Sequence, residues 1–283
     1  MTQSDLPVTA PEPLPAPVID SHCHLDITEE YSGLTPLDAI TAASAVGVSG
    51  IVQVGVDLDS SQRAAALAQR ESSVVAAVAV HPNEAPGVRQ SGKLAEQLDQ
   101  LAELAVLPDV VAVGETGMDF YRTGESGRED QEVSFREHIG LARATNRTLV
   151  IHDRDAHDAV LRVLATEELP ERVVFHCFSG DAEMARICCE AGWFLSFPGV
   201  ITFRNAPALR EALTVANPDQ LLVETDAPFL TPAPQRGRPN ASYLMPHTVR
   251  AMAEEIGMPL DQLCRTLRDN TLRAFRMPAG FTG

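Results

Sequence analysis

The sequence predicts an α/β protein built as a single (β/α)8 TIM barrel. Three observations carry this: eight short Val-rich apolar runs, amphipathic stretches between them, and a histidine or carboxylate standing just beyond several of the runs. Short runs without polar alternation suit parallel strands buried on both faces. Their regular alternation with helical stretches over about 260 residues suits a closed barrel. An open doubly wound sheet is the competing arrangement, because eight such units can also be laid flat.

In chain order, residues 1–17 carry Pro7, Pro11, Pro13, Pro15 and Pro17 and almost no periodicity. A disordered or polyproline-like lead is expected there, with the barrel domain occupying residues 18–283. The apolar runs are Val18–Ile19, Gly50–Gly55, Val74–Val80, Val110–Val113, Thr148–Ile151, Arg172–Phe175, Trp193–Phe197 and Leu221–Val223. Helical spacing appears between them in Ala64, Leu67 and Ala68, in Phe135, Ile139 and Ala142, in Val160, Leu161 and Leu164, and in Leu209 and Leu213. A last helix, roughly Leu260 to Phe275, would pack outside the barrel or close one end.

Composition narrows the function. The 283 residues hold 22 basic and 39 acidic side chains, a net charge of −17. That balance argues against a protein that grips nucleic acid through broad phosphate neutralisation, though not against a local cationic site. No apolar run approaches the roughly 20 residues needed to cross a bilayer, so no membrane role is expected. The first residues show neither a basic head nor an apolar core of a secretory signal. None of the five cysteines has Cys-x-x-Cys spacing, which suits a reducing, cytoplasmic location. No obligate protein partner is evident.

The candidate chemistry sits at strand ends. His22 and His24 are two apart and so share one side of an extended chain. Alone, the pair is equally a hydrogen-bonded structural feature. Glu115 follows Val110–Gly114, His152 follows Thr148–Ile151, His176 follows Val173–Phe175, and Asp226 closes Leu221–Asp226. Barrel active sites are built at these C-terminal ends. Gathering four histidines and two carboxylates there is costly unless cations balance them, and divalent metals take such ligands.

At these residues the chain resembles the TatD family of metal-dependent deoxyribonucleases, within the amidohydrolase superfamily. The matching segments are Asp20–Asp26, Val80–Pro82, Gly114–Tyr121, His152–Ala156, His176–Gly180, Glu224–Pro228 and Arg236–Asn240. The resemblance implies a metallo-dependent hydrolase barrel with two divalent cations, Zn²⁺, Mn²⁺ or Mg²⁺. By the same resemblance, His22, His24, Glu115 and Asp226 would hold one ion. Glu115, His152 and His176 would hold the other, with Glu115 bridging. The chain departs from the usual pattern at Asp153, where serine is frequent, and at Asn83, where a second histidine is frequent.

One inference does not need the family. Many binuclear hydrolases bridge their metals through a carboxylated lysine on a barrel strand, but the sole lysine here is Lys93, between the third and fourth strands. A native carboxylate must serve, and Glu115 is the candidate at strand four. Two dications carry +4, from which Glu115, Asp226 and a bound hydroxide remove three, leaving about +1. An acidic protein can thus focus an anionic phosphodiester. Arg154 and Arg236 are candidate phosphate contacts; Arg204 and Arg238 are either contacts or solvated loop residues. His81 would donate to a phosphate oxygen, or is only a capped histidine at a His-Pro turn. Glu224, two residues before Asp226, would point inward and orient a ligand or substrate. His138, His157 and His247 read as ordinary surface positions, and Asp26 and Asp119 as turn or supporting carboxylates.

The expected function is DNA phosphodiester hydrolysis, exonucleolytic, by a metal-bridging hydroxide, with Asp226 shuttling the proton. The rival keeps the metals but cleaves an amide, ester or lactone, including the acyl ester of an aminoacylated tRNA. A catalytically silent scaffold barrel is the third possibility.

Overall fold

A computed structural model describes residues 6–283 of the chain. All eight apolar runs are strands: β1 Val18–Cys23, β2 Val48–Val54, β3 Val74–Val78, β4 Val110–Asp119, β5 Thr148–Arg154, β6 Val173–Phe175, β7 Phe194–Phe197 and β8 Leu221–Val223. They form one sheet in sequential order, every neighbouring pair parallel. The open-sheet alternative is excluded by how the two edges meet. Asp226 N–H donates to His22 C=O at 3.0 Å and His24 N–H to Ala227 C=O at 2.9 Å, joining the end of β1 to the segment after β8.

Helices wrap the outside: α1 Leu25–Ser32, α2 Pro36–Ala45, α3 Leu58–Ala68, α4 Ala85–Gln90, α5 Leu94–Ala105 and α6 Glu125–Thr145. The series ends with α7 His157–Thr166, α8 Ala182–Glu190, α9 Pro207–Val215, α10 Met245–Ile256 and α11 Leu260–Phe275. None is long and apolar enough to cross a membrane among the described residues.

Strand alternation splits the apolar side chains into two cores. Ile51, Val74, Ala76 and Val78 face outward and pack with residues of the helices. Val52, Val54, Val75, Ala77, Val150, Val174 and Leu222 fill the barrel interior. Ala274 and Phe275, ending α11, join that inner core, and Thr148 Oγ1, at the start of β5, donates to Ala274 C=O at 2.6 Å. The last helix therefore plugs the N-terminal mouth of the barrel and leaves the C-terminal mouth open for chemistry.

The proline-rich lead departs from the disorder expected for residues 1–17. Residues 1–5 lie outside the described residues, but from Leu6 onward the segment lies along the barrel. Val8 and Leu14 are buried. Leu14 N–H bonds Val46 C=O at 3.0 Å, and Arg250 Nη2 donates to the carbonyls of Glu12 at 2.7 Å and Pro13 at 3.1 Å. Prolines remove backbone donors yet leave carbonyls free, and an arginine reaching from α10 satisfies those carbonyls.

Candidate metal centre

The ends of five of the eight strands deliver polar groups to a single pocket, with His81 joining from the segment after β3. Residues 20, 22 and 24 share the inward side of β1 and its extension, because alternate residues of a strand face the same way. The remaining groups come from β4, β5, the residue after β6 and the loop after β8.

Glu115 is the hub, and its two oxygens face different partners. Oε1 lies 3.4 Å from His22 Nε2 and 3.5 Å from His24 Nε2. Oε2 lies 2.9 Å from His176 Nε2, 3.0 Å from His152 Nδ1 and 3.5 Å from His81 Nε2. Asp226 Oδ1 stands 3.5 Å from His24 Nε2 and 3.9 Å from His22 Nε2, on the Oε1 side. All six residues expected at the centre are thus brought together, and His81 joins them.

Two hydrogen bonds and one close charge contact fix which ring nitrogen faces inward. His24 Nδ1 is 3.0 Å from Val54 C=O, so it carries the hydrogen and leaves Nε2 as a lone pair. His152 Nε2 is 3.2 Å from Asp119 Oδ2, so its Nδ1 is the inward lone pair. His176 Nδ1 is 3.3 Å from Glu224 Oε1, so its Nε2 faces the hub. Three lone pairs therefore converge on two carboxylates, an arrangement that repels unless positive charge lies between. His22 makes the same demand: buried and stacked on His176 with ring centroids 3.8 Å apart, it has no hydrogen-bond partner on either nitrogen.

Protons are the positive charge that the bare residues attract. Burial disfavours charged His24, but Asp226 and Glu115 outweigh it and push its pKa up to about 9. Burial likewise opposes charge on His176, yet Glu115 and Glu224 raise it well above the usual histidine range. Glu115 resists its own burial because His176, His81 and His22 hold it well below the usual carboxylate range. A site that accumulates protons on nitrogens facing ionised carboxylates is one that divalent cations would fit.

His81 differs from the others. Its Nδ1 accepts from Asn83 N–H at 3.0 Å, so in the neutral ring Nε2 bears hydrogen and points a donor into the pocket. Asn83 also donates from Nδ2 to Asp119 Oδ2 at 3.2 Å, supporting the carboxylate that holds His152.

A model of the TatD related DNase family matches residues 19–276. The chain belongs to the TatD family. It is 41% identical over 262 residues, 91% of this chain and 97% of the other, to the uncharacterized metal-dependent hydrolase TatD of Mycobacterium tuberculosis. It is 37% identical over 248 residues, 85% of this chain and 92% of the other, to the 3'-5' ssDNA/RNA exonuclease TatD of Erwinia billingiae. Among solved structures it is similar to YJJV, a TatD homolog from Escherichia coli K12, with a TM-score of 0.81, 28% identity, and coverage of 92% of this chain and 98% of that one.

Within this TatD framework several expectations are corrected. Of the two roles expected of Glu224, its position fits the orienting of a ligand and not contact with substrate: it is fully buried against His176, and Oε1 also accepts Cys177 N–H at 2.7 Å. β8 ends at Val223, so Glu224 and Asp226 both lie on the segment beyond the strand. His138 is not on the surface. It is buried in α6, its Nε2 accepting Val80 N–H at 3.0 Å and its Nδ1 donating to Ser134 C=O at 2.7 Å. Arg154, the last residue of β5, and Arg236, in the loop after β8, are exposed, their guanidinium carbons 4.0 Å from the ring centres of Tyr121 and Phe203. Neither touches the central cluster. Arg238 donates to Pro7 C=O at 3.2 Å.

Asp20 escaped the sequence reading. It is buried, accepts Thr225 Oγ1–H at 2.6 Å and Thr225 N–H at 3.0 Å, and so ties β1 to the loop carrying Asp226. Burial pushes its pKa up to about 7 against those hydrogen bonds. The signal was present: an aspartate two before His22 shares its inward side.

Proposed function

We propose that this TatD-family protein is a divalent-metal-dependent phosphodiesterase acting on DNA, trimming a strand from its end. The observation that carries the reading is the divided carboxylate of Glu115, with imidazole lone pairs converging on both oxygens. His22, His24, Asp226 and Glu115 Oε1 would hold one cation, and Glu115 Oε2, His152 and His176 a second. Zn²⁺, Mn²⁺ or Mg²⁺ all suit mixed nitrogen and oxygen ligands. Such ions lower the pKa of a water, polarise the P–O bond and balance phosphoryl charge.

The chain's own groups supply the rest. Asp226 is the least buried of the central carboxylates, with 15% of its side chain exposed against 4% for Glu115. Burial would raise its pKa, but His24, His176 and His22 hold it below the usual carboxylate value. It is therefore ionised at neutral pH and placed to take the proton of an attacking water. His81 Nε2–H is aimed to donate to a phosphoryl oxygen. Arg154 and Arg236 stand at the rim as cationic groups in an otherwise acidic protein, suited to the neighbouring phosphates. A relative described as a 3'-5' ssDNA/RNA exonuclease supports the choice of phosphodiester. A mouth without a broad basic surface favours a frayed end over a long duplex.

The deciding experiment is a substrate panel with added Mg²⁺, Mn²⁺ or Zn²⁺. Short single-stranded oligonucleotides should be degraded from one end, and Glu115→Gln should abolish both turnover and stoichiometric metal. Turnover of amides, esters or lactones with no cleavage of oligonucleotides would replace this reading with the rival hydrolase.

A further inference from the structure

Most aromatic side chains of this protein are buried or partly buried. Among the described residues the exposed ones are Tyr31, Tyr121 and Phe229, at 58%, 66% and 43%. All three follow closely on residues at the end of the barrel where the strands end. Tyr31 is on α1, which begins directly after His24. Phe229 N–H donates to Asp226 C=O at 2.8 Å, so its backbone is fixed to a residue of the centre itself. Tyr121 stands two residues beyond Asp119, the partner of His152.

Tyr31 and Phe229 meet edge to face, with ring centres 5.9 Å apart and planes at 71°. Beside them runs a groove of about 400 Å³ lined by Tyr31, Phe203, Leu230, Thr231, Arg236 and Arg238. Arg236 lies over the Phe203 ring. In a chain of net charge −17, two arginines beside exposed rings next to the catalytic mouth form a cationic and aromatic pairing. Exposed rings offer faces to planar groups, and arginine forks offer donors to anionic oxygens; a single nucleic-acid strand presents both at nucleotide intervals.

We propose that Tyr31 and Phe229 form a nucleobase-stacking subsite that holds an unpaired base of the strand whose phosphodiester lies at the centre, with Arg236 meeting an adjacent phosphate. The inference rests on the phosphodiesterase reading above and names the part of the substrate that reading leaves open. Bases stacked inside a duplex cannot use these faces, so the subsite selects single-stranded ends. The energy comes from ring faces and not from base edges, so the selection is indifferent to base identity.

The test compares the wild type with Tyr31→Ala/Phe229→Ala. Binding of a fluorescein-labelled single-stranded oligothymidylate is followed by anisotropy with Ca²⁺, and hydrolysis of methyl p-nitrophenyl phosphate is followed with Mn²⁺. The double variant should bind the oligonucleotide about ten- to a hundredfold more weakly. Its turnover of the small ester should stay within about twofold of wild type, as expected when only remote binding is lost. An oligonucleotide with abasic sites should bind the wild type as weakly as oligothymidylate binds the variant, and Phe229→Trp should retain affinity. An unchanged Kd, or a matching loss on the small ester, overturns the subsite. Should the wild type bind the oligonucleotide through these rings yet cleave neither phosphodiester, the reaction assigned above falls while the subsite stands. Cleavage with an unchanged Kd in the variant removes the subsite alone.

Discussion

Glu224 lies directly behind His176: its Oε1 is 3.3 Å from Nδ1, while the ring's other nitrogen is 2.9 Å from Glu115 Oε2. The imidazole is therefore held between two carboxylates, one supporting and one central. A buried carboxylate 3.3 Å from the outer nitrogen favours hydrogen on that nitrogen and makes the inner nitrogen a better electron donor. Glu224→Gln preserves shape but removes the charge. It should weaken metal binding about 10- to 100-fold, read by competition with a chromophoric chelator, while the melting curve of the metal-free protein moves little. An unaltered chelator titration would remove Glu224 from this role.

His138 gives a pH prediction independent of the centre. Both its nitrogens are satisfied in the neutral ring, and burial lowers its pKa from 6.5 to about 4 despite the bond to Ser134 C=O. Below pH 6.5 the unfolded chain takes up a proton that the folded chain refuses. The stability held by this residue is complete above pH 6.5 and drains away as pH falls toward 4, by roughly 3 kcal/mol in all. Gln can accept from Val80 and donate to Ser134 without titrating. Urea midpoints of His138→Gln and wild type, measured at pH 7 and 4.5, should therefore diverge, with wild type losing more on acidification. Parallel losses in the two proteins would contradict the assignment.

Gly117 permits the contact between β4 and β5 that sets His152. It pairs with His152, has φ +137°, and an added Cβ would stand 2.1 Å from His152 C=O. A side chain there suffers both an unfavourable backbone region and a clash with backbone that cannot swing aside. Gly117→Ala should cost at least about 2 kcal/mol and displace His152 from Glu115, so melting temperature and bound metal should fall together. A variant that melts and loads metal like the wild type would show that β5 can yield.

The barrel and its central residues were legible because strand ends announce themselves. An apolar run followed at once by His or Glu encodes both the element and the polar group's place at the mouth, as at Glu115, His152 and His176. Depth is not encoded in that way. Glu224 and Asp226 share a side by period, yet the chain leaves the strand at Val223, and only the three-dimensional turn tells that one carboxylate sits below the other. His138 was readable in principle, since with Ser134, Phe135, Ile139 and Ala142 it completes a buried helical stripe; its polarity masked its position. The lead segment was not readable at all, because proline content says nothing about partners that lie more than 230 residues away, such as Tyr243 and Arg250.

Those distant partners make the lead a strap whose attachment can be cut at one atom. The buried Tyr243 hydroxyl accepts Val8 N–H at 3.2 Å and donates to Val8 C=O at 3.0 Å, satisfying both backbone groups of a buried residue. Tyr243→Phe keeps the ring and orphans both groups, a loss of about 1–3 kcal/mol. Because the strap's other hydrogen bonds are few, from Arg238 to Pro7, from Arg250 to Glu12 and Pro13, and from Leu14 to Val46, that loss should fall on strap attachment and not on the barrel. Limited proteolysis should cut the variant near its N-terminus much faster than wild type, while far-ultraviolet circular dichroism and metal content stay unchanged. Equal cleavage rates would mean that Val8 is held by packing alone. Collapse of the whole fold would mean that the strap is part of the cooperative core, since the same segment closes over Tyr243 and α10.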